Sequence, residues 1–345
     1  MSCIYLNIYG LKISVSSNCL KFSSIVRENF NYFLSEESGD CDLVVDFRYS
    51  RNLFRKESDE PLPSMALVGS TGSRVYVGHG LLYVADFNIP GLNIIINTSG
   101  GRYSLKAAYR LTKKDIVLMR GVTTERLLKI ARYIIHYPLF QLMREKQQLS
   151  FLHASAIENN GKGYVFFGLP GAGKTRCIME LLEKGGFKFL SDNYILCSEN
   201  KGILAFPELV RISGNGGELK INRSSFFKKV DSGNRQTKSL FNVNRENISE
   251  RAGFSKVFLL KRSPVEKLEK LETADFISSL IAVEKFTKDF YEYSYIDLLR
   301  LSGLSLAGLF SDRRLELSRI LKDADCYELS VKENSHGLRL IKEIV

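Results

Sequence analysis

The chain has 345 residues, enough to bury a sizeable core and to make two domains or one large domain with additions. Its 44% hydrophobic and 25% charged residues are those of an ordinary soluble globular protein. An excess of 49 Lys and Arg over 38 Asp and Glu gives a net charge of +11. There is no concentrated basic tract, helix-turn-helix signature or RNA-binding aromatic motif, so the charge reads as a basic surface around an anionic ligand and no nucleic-acid partner is expected.

No run reaches 18 uncharged apolar residues, and the opening MSCIYLNIYG lacks a basic region followed by a long apolar core. Neither a membrane span nor a secretory signal is therefore expected. The six cysteines, at 3, 19, 41, 177, 197 and 326, have no metal-ligand spacing and read as reduced thiols of a cytoplasmic protein, Cys177 and Cys197 in its core.

From residue 1 to about 112 the text is strand-like. Residues 3–9 and 11–15 flank Gly10 as a hairpin, and runs at 42–47, 74–77, 81–85, 92–96 and 103–105 continue a meander. Residues 50–63 read as a loop, and His79 as a turn residue between two glycines. Residues 1–120 are expected to form a β-rich accessory domain for substrate recognition or assembly. Thr123 or Thr124 can then cap a helix running to about Lys146, with Leu127, Ile130, Ile134 and Ile135 at helical intervals. Pro138 should kink or interrupt it, and His136 reads as structural. The second domain is expected over 121–345.

The most informative stretch follows. Tyr164-Val165-Phe166-Phe167 suits a buried strand, and residues 176–184 have helical periodicity. Between them, Gly168-Leu169-Pro170-Gly171-Ala172-Gly173-Lys174-Thr175 is a complete G-x-x-x-x-G-K-[ST] loop in the strand–loop–helix context that such a phosphate cradle requires. Glycines let backbone N–H groups surround an anion, and the helix N-terminus adds its positive end. Lys174 supplies a point charge for the β- and γ-phosphates, and the Thr175 hydroxyl supplies an oxygen for Mg²⁺. The expected cofactors are ATP and Mg²⁺. Residues 187–191 then form a strand that delivers Asp192, placed either to meet the metal or to act as a base toward an incoming hydroxyl.

Beyond it, residues 194–197 and 202–206 read as a hairpin. The polar region 213–251 reads as a substrate or lid loop, or as a surface insertion. Residues 256–262 form a buried strand ending in Lys261 and Arg262, which either face phosphate or mark the surface. Helices are expected at about 273–283, 295–303, 312–321 and 336–345, with a strand at 327–331.

His153, the glycine loop and the acidic strand end together resemble the kinase core of HPr kinase/phosphorylase, which shares its nucleotide-binding fold with ATP-dependent phosphoenolpyruvate carboxykinase. The resemblance covers about residues 149–211, with the strand at 257–260. It implies an α/β fold with a P-loop kinase core and puts the lysine of the family's loop at Lys174 and its metal-binding hydroxyl at Thr175. Its histidine falls on His153, and its paired aspartates fall on Asp192 and Asn193, after a one-residue lengthening near Gly185-Gly186. Two departures stand out. Asn193 cannot take a proton, and the family's stretch with a metal-binding Glu has only loose counterparts in residues 207–211, where Glu208 is the candidate, and 214–218.

The reading is thus an ATP-dependent kinase acting on a hydroxyl acceptor, by resemblance a serine of a peptide or protein, or else a small molecule. Its catalytic candidates are Asp192, His153 and Lys174, and its metal candidates are Thr175, Asp192 and Glu208. The alternative is a P-loop ATPase or nucleotide-dependent switch without a phosphoryl acceptor. Homo-oligomerisation stays open.

Overall fold

Alternation of apolar and polar residues builds the first half of the protein, in a computed structural model that describes residues 2–50, 66–69, 74–78, 81–87, 89–97, 102–111, 122–213, 226–230, 238–287, 313–332 and 338–341. Strand β1 (Ser2–Ile8) and strand β2 (Leu11–Ser17) pair as a hairpin whose turn places Tyr9 at φ 52° and Gly10 at φ 91°. Two successive positive φ angles match the strand twist, and glycine meets the second at no steric cost. After helix α1 (Leu20–Asn29) come β3 (Leu34–Ser35), β4 (Leu43–Ser50), β5 (Ala66–Gly69), β6 (Arg74–Gly78), β7 (Leu81–Ala85), β8 (Leu92–Asn97) and β9 (Tyr103–Arg110). They form one sheet in the order β3-β1-β2-β4-β9-β8-β7-β6-β5, with β4 parallel to both β2 and β9 and the other pairs antiparallel. Ile13, Val15, Val45, Phe47, Leu105 and Ile94 alternate onto its buried face.

The strand-like reading of 1–112 missed α1. Phe22, Ile25, Val26 and Asn29 do recur at helical spacing and are buried, but Cys19 offers no side-chain cap, so the helix lacks a start signal. It is held by packing instead, the Phe22 ring lying 4.2 Å from that of Phe47.

Thr123 is the cap of helix α2 (Thr124–Ala131), accepting the Arg126 N–H at 3.2 Å. One wide π turn, Arg132–His136, leads into helix α3 (Tyr137–Gln147). Here the expected effect of Pro138 takes a specific form. A proline has no N–H, and its ring crowds the carbonyl four residues back. Widening the turn so that the Tyr137 N–H reaches the Arg132 carbonyl lets the chain continue as helix. His136 is 2% exposed, between Asn29 (3.4 Å) and the Ala131 carbonyl (3.3 Å), consistent with a structural role.

The described residues divide into two compact units at Gln147–Gln148. This differs from the boundary at 120: α2 and α3 belong with the N-terminal sheet, where Tyr103 donates to Glu145 at 3.0 Å and Phe87 meets Tyr133 at 5.3 Å.

The second unit is a mixed sheet with flanking helices. Its elements are β10 (Ser150–Leu152), β11 (Ser155–Asn159), β12 (Lys162–Gly168), α4 (Lys174–Glu183), β13 (Lys188–Ser191), β14 (Ile195–Ser198), β15 (Gly202–Leu204), β19 (Arg251–Arg262), β20 (Lys267–Leu271), α5 (Thr273–Thr287), α6 (Arg313–Ile320), β21 (Asp325–Val331) and α7 (Leu338–Ile341). Strand order is β10-β14-β15-β19-β12-β11-β13, and β21 pairs with both β19 and β20. β12, β19 and β21 run parallel to one another. β11 is antiparallel to β12 and to β13, so β13 points the same way as the other three. Four strands therefore end on one edge of the sheet, at Gly168, Ser191, Arg262 and Val331.

Within the polar region 213–251, the described residues include regular strands that its composition does not suggest. β16 (Val210–Ser213), β17 (Phe227–Val230) and β18 (Lys238–Val243) make a separate antiparallel sheet in the order β16-β18-β17. The loop at 51–63, His79, residues 214–218 and the helix at 295–303 lie outside the described residues. The protein is thus mixed α/β and rich in strand. No helix among the described residues is long and apolar enough to cross a membrane.

The core of the second unit is a ladder of rings. Phe166, Phe258 and Tyr327 sit opposite one another on β12, β19 and β21, with centroids 4.9 and 5.5 Å apart. Phe258 is fully buried in the middle. Phe258→Ala is expected to lower the unfolding free energy of this unit by about 3–5 kcal/mol, and Phe258→Leu by clearly less. Urea unfolding followed by tyrosine fluorescence checks this, and equal costs for the two variants would contradict it.

Candidate functional site

At the end of β12 the chain must turn sharply under β19. A Cβ on Gly168 would lie 2.8 Å from the Leu260 carbonyl, and φ there is +146°, so only glycine fits. The turn closes when the Ala172 N–H donates to the Leu169 carbonyl at 3.0 Å. Gly173 then caps α4 in the left-handed region, at φ +107°. The loop over Gly168, Leu169, Pro170, Gly171, Ala172 and Gly173 thereby delivers Lys174 and Thr175 as the first two residues of the helix, where backbone N–H groups have no intrahelical acceptor.

Lys174 is only 8% exposed and folds back over the loop, its Nζ donating to the Gly168 carbonyl at 2.7 Å and the Leu169 carbonyl at 3.4 Å. The Thr175 hydroxyl reaches the other way. Its Oγ1 stands 3.0 Å from both carboxylate oxygens of Asp192.

Asp192 follows β13 directly. Its carboxylate is 4% exposed and also accepts the Ser155 hydroxyl at 2.5 Å. Burial raises its pKa above the ordinary carboxylate value, against the opposing pull of the Ser155 and Thr175 hydroxyls and the Lys174 charge. The charge of Glu208 adds to the rise, which brings that buried residue within electrostatic reach of Asp192. Glu208 arrives there because the chain after β15 bridges back to β13. The Phe206 N–H donates to the Leu190 carbonyl at 3.0 Å, and the Ser191 hydroxyl donates to the Phe206 carbonyl at 2.7 Å.

Asn193 is turned away from an extended course, at φ 83°, and its carbonyl accepts the Ala154 N–H at 3.2 Å. Asparagine tolerates this left-handed conformation better than most residues. His153, half-buried, precedes that Ala154, and its ring stands edge-on to Tyr194 at 5.6 Å.

The geometry thus gathers Lys174, Thr175, Asp192 and Glu208, with His153 beside the Asp192–Asn193 turn. Two further residues join that the motif did not name. Ser155 opens β11 on the same sheet edge, which no local pattern announces. Arg262 closes β19 and donates to the Gly171 carbonyl from Nε (3.3 Å) and Nη2 (3.1 Å). Its neighbour Lys261 pairs with Glu328 instead. Among the described residues no group of three or more His, Cys, Asp or Glu could hold a metal ion. The oxygen donors here that could face a cation are those of Thr175 and Asp192, with Glu208 nearby, and ligand and water oxygens would have to complete its shell.

The buried carboxylate sets a pH dependence. The unfolded chain ionises Asp192 near its ordinary value of 3.8, whereas the folded chain does so at higher pH. Ionisation therefore costs nothing well below that value, and the cost is complete only above the folded pKa. Asp192→Asn is expected to raise the thermal midpoint at neutral pH, an advantage that fades as pH falls through the folded pKa and is gone below about 4. A pH series of melting curves measures it, and a variant less stable than wild type at neutral pH would refute it. No protein-family model matches the chain, and a search of curated proteins finds no match.

Proposed function

We propose that the protein is an ATP-dependent phosphotransferase with a P-loop kinase core of the HPr kinase/phosphoenolpyruvate carboxykinase type, acting on a hydroxyl acceptor. One observation carries this reading: Lys174, Thr175 and Asp192 converge at the carboxyl ends of parallel strands. Open α/β sheets bind their ligands at that end. The fit to Mg-ATP rests on the loop itself, whose three glycines take positive φ angles and whose helix offers its first-turn N–H groups to an anion.

Mg-ATP, when bound, supplies the γ-phosphoryl group as the electrophile. Lys174 exchanges its two loop carbonyls for phosphate oxygens and holds charge that builds up during transfer. The Thr175 hydroxyl, now donated to Asp192, presents its oxygen to the cation. Asp192 serves as a further cation ligand or accepts the proton of the acceptor hydroxyl. A carboxylate whose pKa is raised by burial is the better proton acceptor. Ser155 fixes the rotamer of that carboxylate, and His153 orients the acceptor. A serine of a peptide or protein is the acceptor class that the family resemblance supports. The six free thiols support a reducing, cytoplasmic setting.

A nucleotide-driven ATPase or switch is the second reading. It is favoured by Asn193, which stands where the resembling family has its second acid.

Lys174→Ala is expected to weaken Mg-ATP binding at least tenfold, the scale of one charged contact to phosphate. Calorimetric titration of wild type and variant measures this, and equal affinities would overturn the proposal. Asp192→Asn is expected to remove most transfer while retaining nucleotide affinity. Radiolabelled ATP distinguishes the readings: label on an acceptor supports the kinase, and label released only as phosphate supports the ATPase. Full transfer by Asp192→Asn would exclude its role as base or essential ligand.

A further inference from the structure

Arg262 is the feature of this edge that the phosphotransfer reading leaves without a task. It ends β19, next to the strand that enters the glycine loop, and its guanidinium is shared between two backbone carbonyls. Nε and Nη2 donate to Gly171 at 3.3 and 3.1 Å, and Nη1 donates to Lys332, just past the end of β21, at 2.8 Å. A planar fork with donors in fixed directions suits such a double engagement, whereas a lysine reaches only one carbonyl well.

The consequence falls on a single peptide plane. The Gly171–Ala172 peptide has its carbonyl on Arg262 and its N–H on the Leu169 carbonyl at 3.0 Å. It is therefore held from both ends. Gly171 borders that plane at φ +81° and has nothing within 4 Å of its absent Cβ to limit it sterically, and Gly173, one residue beyond the plane, is at φ +107°. Glycine has the largest conformational freedom of any residue, so a hinge of this kind stays in one conformation only if something outside it holds it. In the described structure Arg262 supplies such a contact to the Gly171 carbonyl.

We infer that Arg262 is a positioning residue that braces the glycine loop in its anion-cradling shape, tying it to the ends of β19 and β21, and that it sets affinity for the diphosphate part of a nucleotide without touching the terminal phosphate. The affinity part rests on the nucleotide-binding reading above, whereas the brace itself does not. Pre-forming the cradle removes the ordering cost that binding would otherwise bear, and that gain is the same for any ligand seated in it.

The test compares wild type, Arg262→Gln and Arg262→Lys in the full chain, with Lys261→Gln as a neighbouring control. Amide hydrogen exchange over residues 169–173 is measured without ligand, and calorimetry gives Kd for Mg-ATP and Mg-ADP. In Arg262→Gln the loop amides should exchange several-fold faster, and both dissociation constants should rise about tenfold by one common factor, the scale of a charge-assisted hydrogen bond. Arg262→Lys should recover part of each, and Lys261→Gln should leave loop exchange unchanged. Unchanged exchange in Arg262→Gln would overturn the brace whatever the nucleotides do. A loss confined to ATP would overturn it too, assigning Arg262 to the terminal phosphate instead. Absence of nucleotide binding by wild type would remove the phosphotransfer reading, while exchange still decides the brace. If Arg262→Gln fails to fold, the lysine variant carries the same comparison.

Discussion

A carboxylate buried to 4% exposure is costly unless donors surround it, and much of the second unit is arranged around that demand. Two hydroxyls answer it from separate directions. Thr175 comes from the first turn of α4, and Ser155 from the start of β11, the strand inserted between β12 and β13. The insertion has a topological effect. Because β11 runs against both neighbours, its first residue lies at the edge where β12 and β13 end, and a serine there can reach the acid that follows β13. The same acid is enclosed from beyond β13 by the segment carrying Phe206 and Glu208.

The ring ladder of Phe166, Phe258 and Tyr327 supports this edge from within. It fixes the relative register of β12, β19 and β21, and so fixes where Gly168, Arg262 and Lys332 come to lie. α5 covers the same sheet through Phe276, whose ring is 6.0 Å from Phe167. Near the end of α5, Glu284 holds Arg313 at 2.6 Å, and Glu316 holds it at 2.8 Å, anchoring α6. Rigid packing below and hydrogen-bonded polar groups above is the arrangement expected of a site that must keep its shape.

What could be read in the sequence was what chain neighbours decide. The loop from Gly168 to Thr175 is local, its glycines answering to backbone angles, and so it was legible in full. Asp192 was legible because a strand end beside such a loop is a privileged place, although the sequence left open whether it or Asn193 turned inward. The left-handed bend at Asn193 and the two hydroxyls on Asp192 give the inward role to the acid. Ser155 was hidden as a participant, and Arg262 was left between facing phosphate and marking the surface, because both reach the site only through pairing with distant strands. In the N-terminal unit, hydrophobic alternation revealed the strands. It could not reveal α1, whose helix has no capping side chain, or the π turn, which answers to the Pro138 ring. The strands within 210–243 escaped because polar strand residues carry little period-two signal.

The parallel pairing of β12 with β19 also has a bearing on synthesis. Gly168 turns beneath the Leu260 carbonyl, and Gly171 is held by Arg262, so the loop is shaped by residues roughly ninety positions later in the chain. At roughly 5–20 residues per second, a ribosome that has made the loop needs about 4–17 s more to supply that strand. Until then the segment is a glycine-rich tether without a ceiling. Long-range parallel pairing of this kind also folds slowly, because its loop-closure entropy is lost before its contacts form. The loop therefore takes its final shape late in the life of the nascent chain, and for those seconds the apolar strand 162–168 lacks its β19 partner.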